Sequence, residues 1–261
     1  MIGAALRWAA APALVGLLAL GLWEGGVRLF GVPPYVLPGP VAIAVALRDD
    51  WALLWPSTLV TLRIALLALL VAVGSGGLLA VLFAQSRGLE RALFPWAVVL
   101  QVTPVVAIAP LILIWVDDVM VALLVCAAIV AFFPVLSNTA LGLRSTDRNL
   151  VELFRLYGAS RWQALALLRL PSALPFFLAG LRIAGGLALI GAVVAEFVAG
   201  AGGTGSGLAF RILEAGYQLR IPRMFASLAL ISALGIGIFA TLGLVQHLLL
   251  RRWHESVEPA E

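Results

Sequence analysis

Lysine is absent from this sequence: all 17 basic residues are arginines. The phosphate-cradling pattern G-x-x-x-x-G-K-[ST] therefore cannot occur, and any ATP hydrolysis tied to this chain belongs to another polypeptide. Histidine is scarce. His247 and His254 lie near the C-terminal end, H-E-x-x-H is missing, and no metal-ligand set can be drawn. G-x-S-x-G is missing as well, which removes serine-hydrolase chemistry. The single cysteine, Cys126, sits in an apolar run. It rules out an intrachain disulfide and reads as a small buried side chain. Charge itself is sparse, at 11% of residues against roughly 25% in soluble domains. The chain is thus expected to perform no covalent chemistry and to hold no cofactor of its own.

What fills the space is apolar: 63% of residues are hydrophobic and the mean hydropathy is +1.10. The solvent implied is a bilayer, which takes about 20 mostly apolar residues per spanning helix. Six runs qualify: 8–30, 59–84, 92–116, 119–143, 174–198 and 224–250. The first follows Arg7 and is interrupted by Glu24 and Arg28. Without a small-x-small cleavage site ahead of a polar domain, it reads as an uncleaved membrane helix rather than a signal peptide. The prolines of GVPPYVLPGP break helix until Pro40, which starts a short one with Val41, Ala44 and Val45 to one side. That segment is placed at the outer interface, with Trp51 and Trp55 as its aromatic belt. The expected fold class is an all-α, polytopic membrane protein of six transmembrane helices.

A net charge of +4 would suggest nucleic acid in a soluble chain; here it is a topology signal. With both termini inside, the inner segments hold ten arginines: Arg7, Arg87, Arg91, Arg144, Arg148, Arg155, Arg161, Arg169, Arg251 and Arg252. The outer segments hold five: Arg28, Arg48, Arg211, Arg220 and Arg223. That excess favours both termini on the cytoplasmic side and the turn at Asp117 and Asp118 outside, and no nucleic-acid partner is expected.

The longest inner loop contains VELFRLYGASRWQALALLRLP, residues 151–171. Asp147 can cap a helix in which Leu150, Leu153, Phe154 and Tyr157 share a side while Arg148, Glu152 and Arg155 face away. Gly158 ends that helix, since glycine accepts the left-handed conformation. Ser160 and Gln163 form a capping box for a second helix carrying Trp162, Leu165 and Ala166, expected to end before Pro171. Two local readings stay open for this elbow: apolar side on the inner leaflet with arginines on phosphates, or apolar anchors in a groove on a soluble partner.

The spacing of Glu152, Gly158, Leu168, Leu170 and Pro171 resembles the Glu-Ala-Ala loop of ABC importer permeases. The family pattern has Gly after three further residues, then nine residues, Ile, one residue and Leu-Pro. Leu168 stands where Ile is usual, and Leu153 and Phe154 replace the two alanines. The stretches TLRIALLALLVAVGSGGLLAVL (61–82), PVVAIAPLILIW (104–115), GAVVAEFV (191–198) and LLLRRWHES (248–256) are similar to the nitrate/sulfonate/taurine branch, so the likeness covers about 58–254. Trp115, Val116 and Asp117 depart from the Trp-Phe-Gly common there. The resemblance implies a type I importer permease with a cytoplasmic coupling loop over 144–171. Within that loop Glu152, Leu153, Phe154, Tyr157, Gly158, Ala159, Leu168, Leu170 and Pro171 would engage a separate ATP-binding subunit, which carries ATP and Mg. It also implies a soluble substrate-binding protein outside, a second permease copy, and residence in a bacterial inner membrane. The division expected is 1–57 for the first helix and interfacial segment, 58–254 for the permease core, and 255–261 for a cytoplasmic tail. The cargo class is a nitrate-, sulfonate- or taurine-like anion or a heteroaromatic vitamin precursor.

Arg63, Arg182 and Glu196 lie in or near apolar runs, where an ionisable group costs about 2.5–3.5 kcal/mol on insertion scales. They line the substrate path or its gates, or else they snorkel or pair structurally. Pro104 and Pro110 leave carbonyls without helix partners and mark a bend beside the route. Asn138 suits a helix–helix hydrogen bond. GAGGTGSG (200–207) holds a formal G-x-G-x-x-G at Gly200, Gly202 and Gly205, but no strand precedes it, so it reads as an outer turn. An ion-coupled secondary transporter is the alternative; it calls for midplane carboxylates and inverted repeats, and neither is evident.

Overall fold

The computed structural model describes residues 2–200 and 205–251, with side chains from residue 11 onward. The Arg7 side chain, Gly202, Arg252, His254 and the expected 255–261 tail lie outside the described residues. All regular structure among the described residues is helical: α1 Ile2–Leu29, α2 Pro40–Asp49, α3 Trp51–Gln85, α4 Arg87–Val102, α5 Val105–Trp115, α6 Val119–Arg144, α7 Arg148–Leu156, α8 Arg161–Ala164, α9 Leu170–Ala199, α10 Leu208–Tyr217 and α11 Ile221–Leu250. A π turn, Leu165–Arg169, joins α8 to α9. Only helices satisfy their own backbone polar groups in hydrocarbon. Five of these are long and apolar enough to cross a membrane, and six cross if the pair α4 and α5 counts as one span.

That pair corrects the expectation of one helix over 92–116. α4 stops at Val102, α5 starts at Val105, and the two are bent by 101°. Pro104 is the cause. Its ring fixes φ at −62° at the N-cap of α5, and it holds Thr103 before it in an extended conformation (ψ 120°). The Val99 carbonyl closes α4 by accepting both the Thr103 N–H at 3.1 Å and the Thr103 hydroxyl at 2.7 Å.

The chain forms two compact units, Met1–Thr58 with Gly202–Ile231, and Leu59–Ala201 with Ser232–Glu261. In the first, Glu24 accepts the Val41 N–H at 3.1 Å and the Arg28 guanidinium at 2.6 Å, which ties α1 to the start of α2. Arg223 grips Asp50 through both carboxylate oxygens, one of them 2.6 Å from Nε. Arg211 donates to Ser57 at 2.9 Å and to Glu214 at 2.8 Å. Trp51 and Trp55 stack with centroids 5.2 Å apart.

In the second unit α6 and α9 run against each other along a seam of small residues: Ala127, Ala131 and Ala140 on α6, Ala184, Ala188 and Ala192 on α9, all nearly inaccessible. Between lipid-like helices the gain comes from close van der Waals contact, which small residues permit. Gly180 and Gly191 set the approach. A Cβ on Gly180 would lie 2.7 Å from the Pro134 carbonyl oxygen, and one on Gly191 would lie 2.8 Å from the Ala127 Cα. Asn138 belongs to this seam but does not bond across it; its amide donates to the Pro134 carbonyl in its own helix at 2.8 Å.

Candidate functional site: the elbow and the charged residues of the spans

The elbow forms as its local chemistry dictates. Asp147 accepts the Asn149 N–H at 2.8 Å and starts α7. α7 ends with Gly158 at φ +72°. The Gly158 N–H donates to the Arg155 carbonyl at 3.0 Å and the Ala159 N–H to the Phe154 carbonyl at 2.9 Å, the paired bonds of a Schellman turn. Ser160 then accepts the Gln163 N–H at 3.3 Å while the Gln163 side chain accepts the Ser160 N–H at 2.8 Å, completing the capping box.

The second helix does not end before Pro171. It continues through the π turn into α9, giving one helical run from Arg161 to Ala199. Pro171 brings no N–H, and its ring crowds the carbonyls one turn back. One extra residue in the turn absorbs that conflict: the Leu170 N–H reaches the Leu165 carbonyl, and the Ser172 hydroxyl takes the Leu168 carbonyl at 2.8 Å. Leu165 and Leu168 are buried, and Leu165 packs with Phe83, Ala97, Leu136, Leu143 and Ala173. The elbow is therefore rooted in the core by its second limb.

Its first limb and tip are open. Glu152, Leu153, Tyr157 and Gly158 are exposed, Phe154 and Ala159 are half-buried, Leu170 is exposed and Pro171 half-buried. Leu156 is 84% exposed, Tyr157 83% and Trp162 70%, a set of large apolar side chains without intramolecular cover. Leu156 and Leu167, the latter 68% exposed, were missed in the sequence. Both lie off the apolar stripe that helical periodicity picks out, and the only signal was their place beside Tyr157 and Ala166.

The charged residues of the spans have different surroundings. Glu196 is 3% exposed and accepts the hydroxyl proton of the buried Thr61 at 2.8 Å, joining α9 to α3. Thr61 escaped the sequence reading because it is 135 residues away and uncharged. Arg63, two residues on, points from an exposed position on α3. Arg182 is half-buried on α9, its guanidinium carbon 3.8 Å from the Phe239 ring centre, and its Nε has no hydrogen-bond partner. A cation over an aromatic face is partly compensated for lost hydration. The structure does not bring these three together into one cluster. Pro104 begins α5, Pro110 lies inside it, and both are exposed. No group of three or more potential metal ligands occurs among the described residues.

Comparison with known proteins gives the architecture its context. The riboflavin transport system permease protein RibX of Chloroflexus aurantiacus is 37% identical over 92% of this chain and 88% of its own length. The formylaminopyrimidine transport permease protein ThiX of Halalkalibacterium halodurans is 35% identical over 92% of this chain and 94% of its own. The taurine transport system permease protein TauC of Escherichia coli is 29% identical over 94% and 90%. A solved amino acid ABC transporter, crystallised with histidines, shares the fold with a TM-score of 0.63 at 19% identity, covering 80% of this chain and 97% of that one. Residues 72–254, the stretch holding the elbow and its roots, match the family pattern described as the binding-protein-dependent transport system inner membrane component. The chain belongs to that family and is a multi-pass permease component of an ABC transport system.

Proposed function

We propose that this permease serves an ATP-driven importer of a bacterial inner membrane, with both termini cytoplasmic, and works by alternating access. The observation that carries the reading is the elbow: a double-capped, core-rooted bend that exposes Leu156, Tyr157 and Trp162 beside the charges of Glu152 and Arg155. Apolar anchors with a charged rim suit a groove on a soluble partner. That partner is an ATP-binding subunit, which holds ATP and Mg; a second permease copy completes the route, and a soluble binding protein delivers cargo outside. Nucleotide-driven movement of the elbows biases the helices between inward- and outward-open states.

The cargo is a heteroaromatic vitamin or vitamin precursor. The relatives named for riboflavin and formylaminopyrimidine are 37% and 35% identical, above the 29% of the one named for taurine. Arg63, an exposed cation in a membrane helix, favours a small anion as the second reading. Reconstitution with the ATP-binding subunit and binding protein in proteoliposomes tests both. ATP-dependent uptake of riboflavin or formylaminopyrimidine, with taurine unable to compete, is the expected result. Uptake that persists without the ATP-binding subunit would replace this proposal with ion-coupled secondary transport.

A further inference from the structure

Both stalks of the elbow are tied to one place outside the loop 144–171. The stalk before it ends at Arg144, which forms an ion pair with Glu90 and donates through Nε to the Ala140 carbonyl at 3.2 Å. The stalk after it carries Arg169, whose guanidinium donates to the Ala84 carbonyl at 3.3 Å. Ala84 and Glu90 flank the same corner, where α3 ends at Gln85 and Ser86 caps α4 by accepting the Leu89 N–H. Glu90 lies in the first turn of α4 and Arg144 in the last turn of α6. Each charge therefore sits at the helix end that favours its sign, and the pair joins two helix ends without cost to either. Behind these polar ties Leu165, Leu143, Phe83 and Ala97 share one apolar cluster.

The consequence is mechanical. These ties connect the elbow to the corner between α3 and α4, and α4 leads into the 101° break before α5. The Glu90–Arg144 pair is also weakly placed to hold the fold, since the two side chains are 21% and 54% exposed. Pairs this open add little to stability.

We propose that Glu90, Arg144 and Arg169 are positioning residues for coupling: they pass movement of the elbow to the broken pair α4 and α5, alongside the direct route up α9. The inference rests on the elbow being where the ATP-binding subunit grips.

The test uses the assembled transporter with Cys126 replaced by alanine and a single cysteine at Val106 of α5, which is 56% exposed. Maleimide labelling of that cysteine is timed without nucleotide and with Mg-ATP and vanadate. In the otherwise native background the rate is expected to change by about threefold or more, within the range of coupling seen between interacting groups. Glu90→Arg and Arg144→Glu should each abolish the change while the ATP-binding subunit stays bound and hydrolyses ATP. The double reversal re-forms the pair with each charge at the helix end that disfavours it, so it should restore the response in part; a melting temperature within about 2 °C of native in all three variants is the readout that a merely structural role would move. Should either reversal prevent assembly, Glu90→Gln and Arg169→Gln carry the same comparison. Labelling that still responds to nucleotide in these variants overturns the inference. A control carrying Leu156→Asp with Tyr157→Asp, both anchors being exposed, separates the two levels: if it leaves association of the ATP-binding subunit intact, the elbow reading itself fails.

Discussion

Two helix ends in this chain close with the same backbone bonds and different residues. At the elbow, α7 turns on Gly158 at φ +72°. In the other unit, α10 turns on Leu219 at φ +57°, the one non-glycine with positive φ among the described residues. There the Leu219 N–H donates to Gly216 at 3.1 Å and the Arg220 N–H to Ala215 at 2.8 Å, again the paired bonds of a Schellman turn. Hydrogen bonding is equal in the two turns, so the difference is steric. A left-handed leucine costs about 1–2 kcal/mol against its own carbonyl, and glycine escapes that cost. The leucine gains no burial in return, being 76% exposed, with Tyr217 beside it at 88%. The comparison separates a turn free of left-handed strain from one that carries it in its resting state.

The sharpest way to break this contrast is to put the outer residue into the inner turn. Gly158→Leu should weaken retention of the ATP-binding subunit by about tenfold, the equivalent of about 1.4 kcal/mol, measured by titrating the subunit onto detergent-solubilised permease. Unchanged affinity would show that the elbow tolerates strain and that the contrast is accidental. Next in size is Ser160→Ala. Losing one half of the capping box costs about 1 kcal/mol, so retention should fall about fivefold, and Ser160→Asp should restore most of it. The reciprocal exchange, Leu219→Gly, should raise the melting temperature by about 2–4 °C in a detergent thermal scan; a decrease would mean that the leucine side chain holds something in place. Smallest of all, Leu219→Asn should recover part of that gain, because asparagine tolerates the left-handed region better than leucine.

The same two turns show where sequence rules reach. Gly158, Asp147 and the Ser160–Gln163 box were legible because each acts over three or four residues and each has a steric or hydrogen-bonding requirement of its own. Leu219 was invisible: nothing in a leucine announces positive φ. The continuation of α8 into α9 was misread because a proline normally ends a helix, and local reasoning does not supply the π turn or the buried Leu165 and Leu168 that sustain it. The six apolar runs were read from hydropathy, yet the 101° break at Pro104 turned one of them into two helices. Glu196 stood out as an acid in a greasy helix, whereas its partner Thr61 and the pairs Glu90–Arg144 and Asp50–Arg223 join residues far apart along the chain. Charge pairing at that range leaves no trace in spacing.

The π turn carries one further consequence. Each residue of an α-helix advances its azimuth by about 100°, and the turn at Leu165–Arg169 harbours one surplus residue. The nine positions between Gly158 and Leu168 thus act as a phase setting. Shortened by one, the run relaxes to uniform α-helix with the bend kept on its bearing, because the π turn takes up one residue; lengthened by one, it swings the exposed side chains of the bend by about 100°. Length in this stretch is a directional quantity: one residue can be lost from it without turning the bend, and none can be gained.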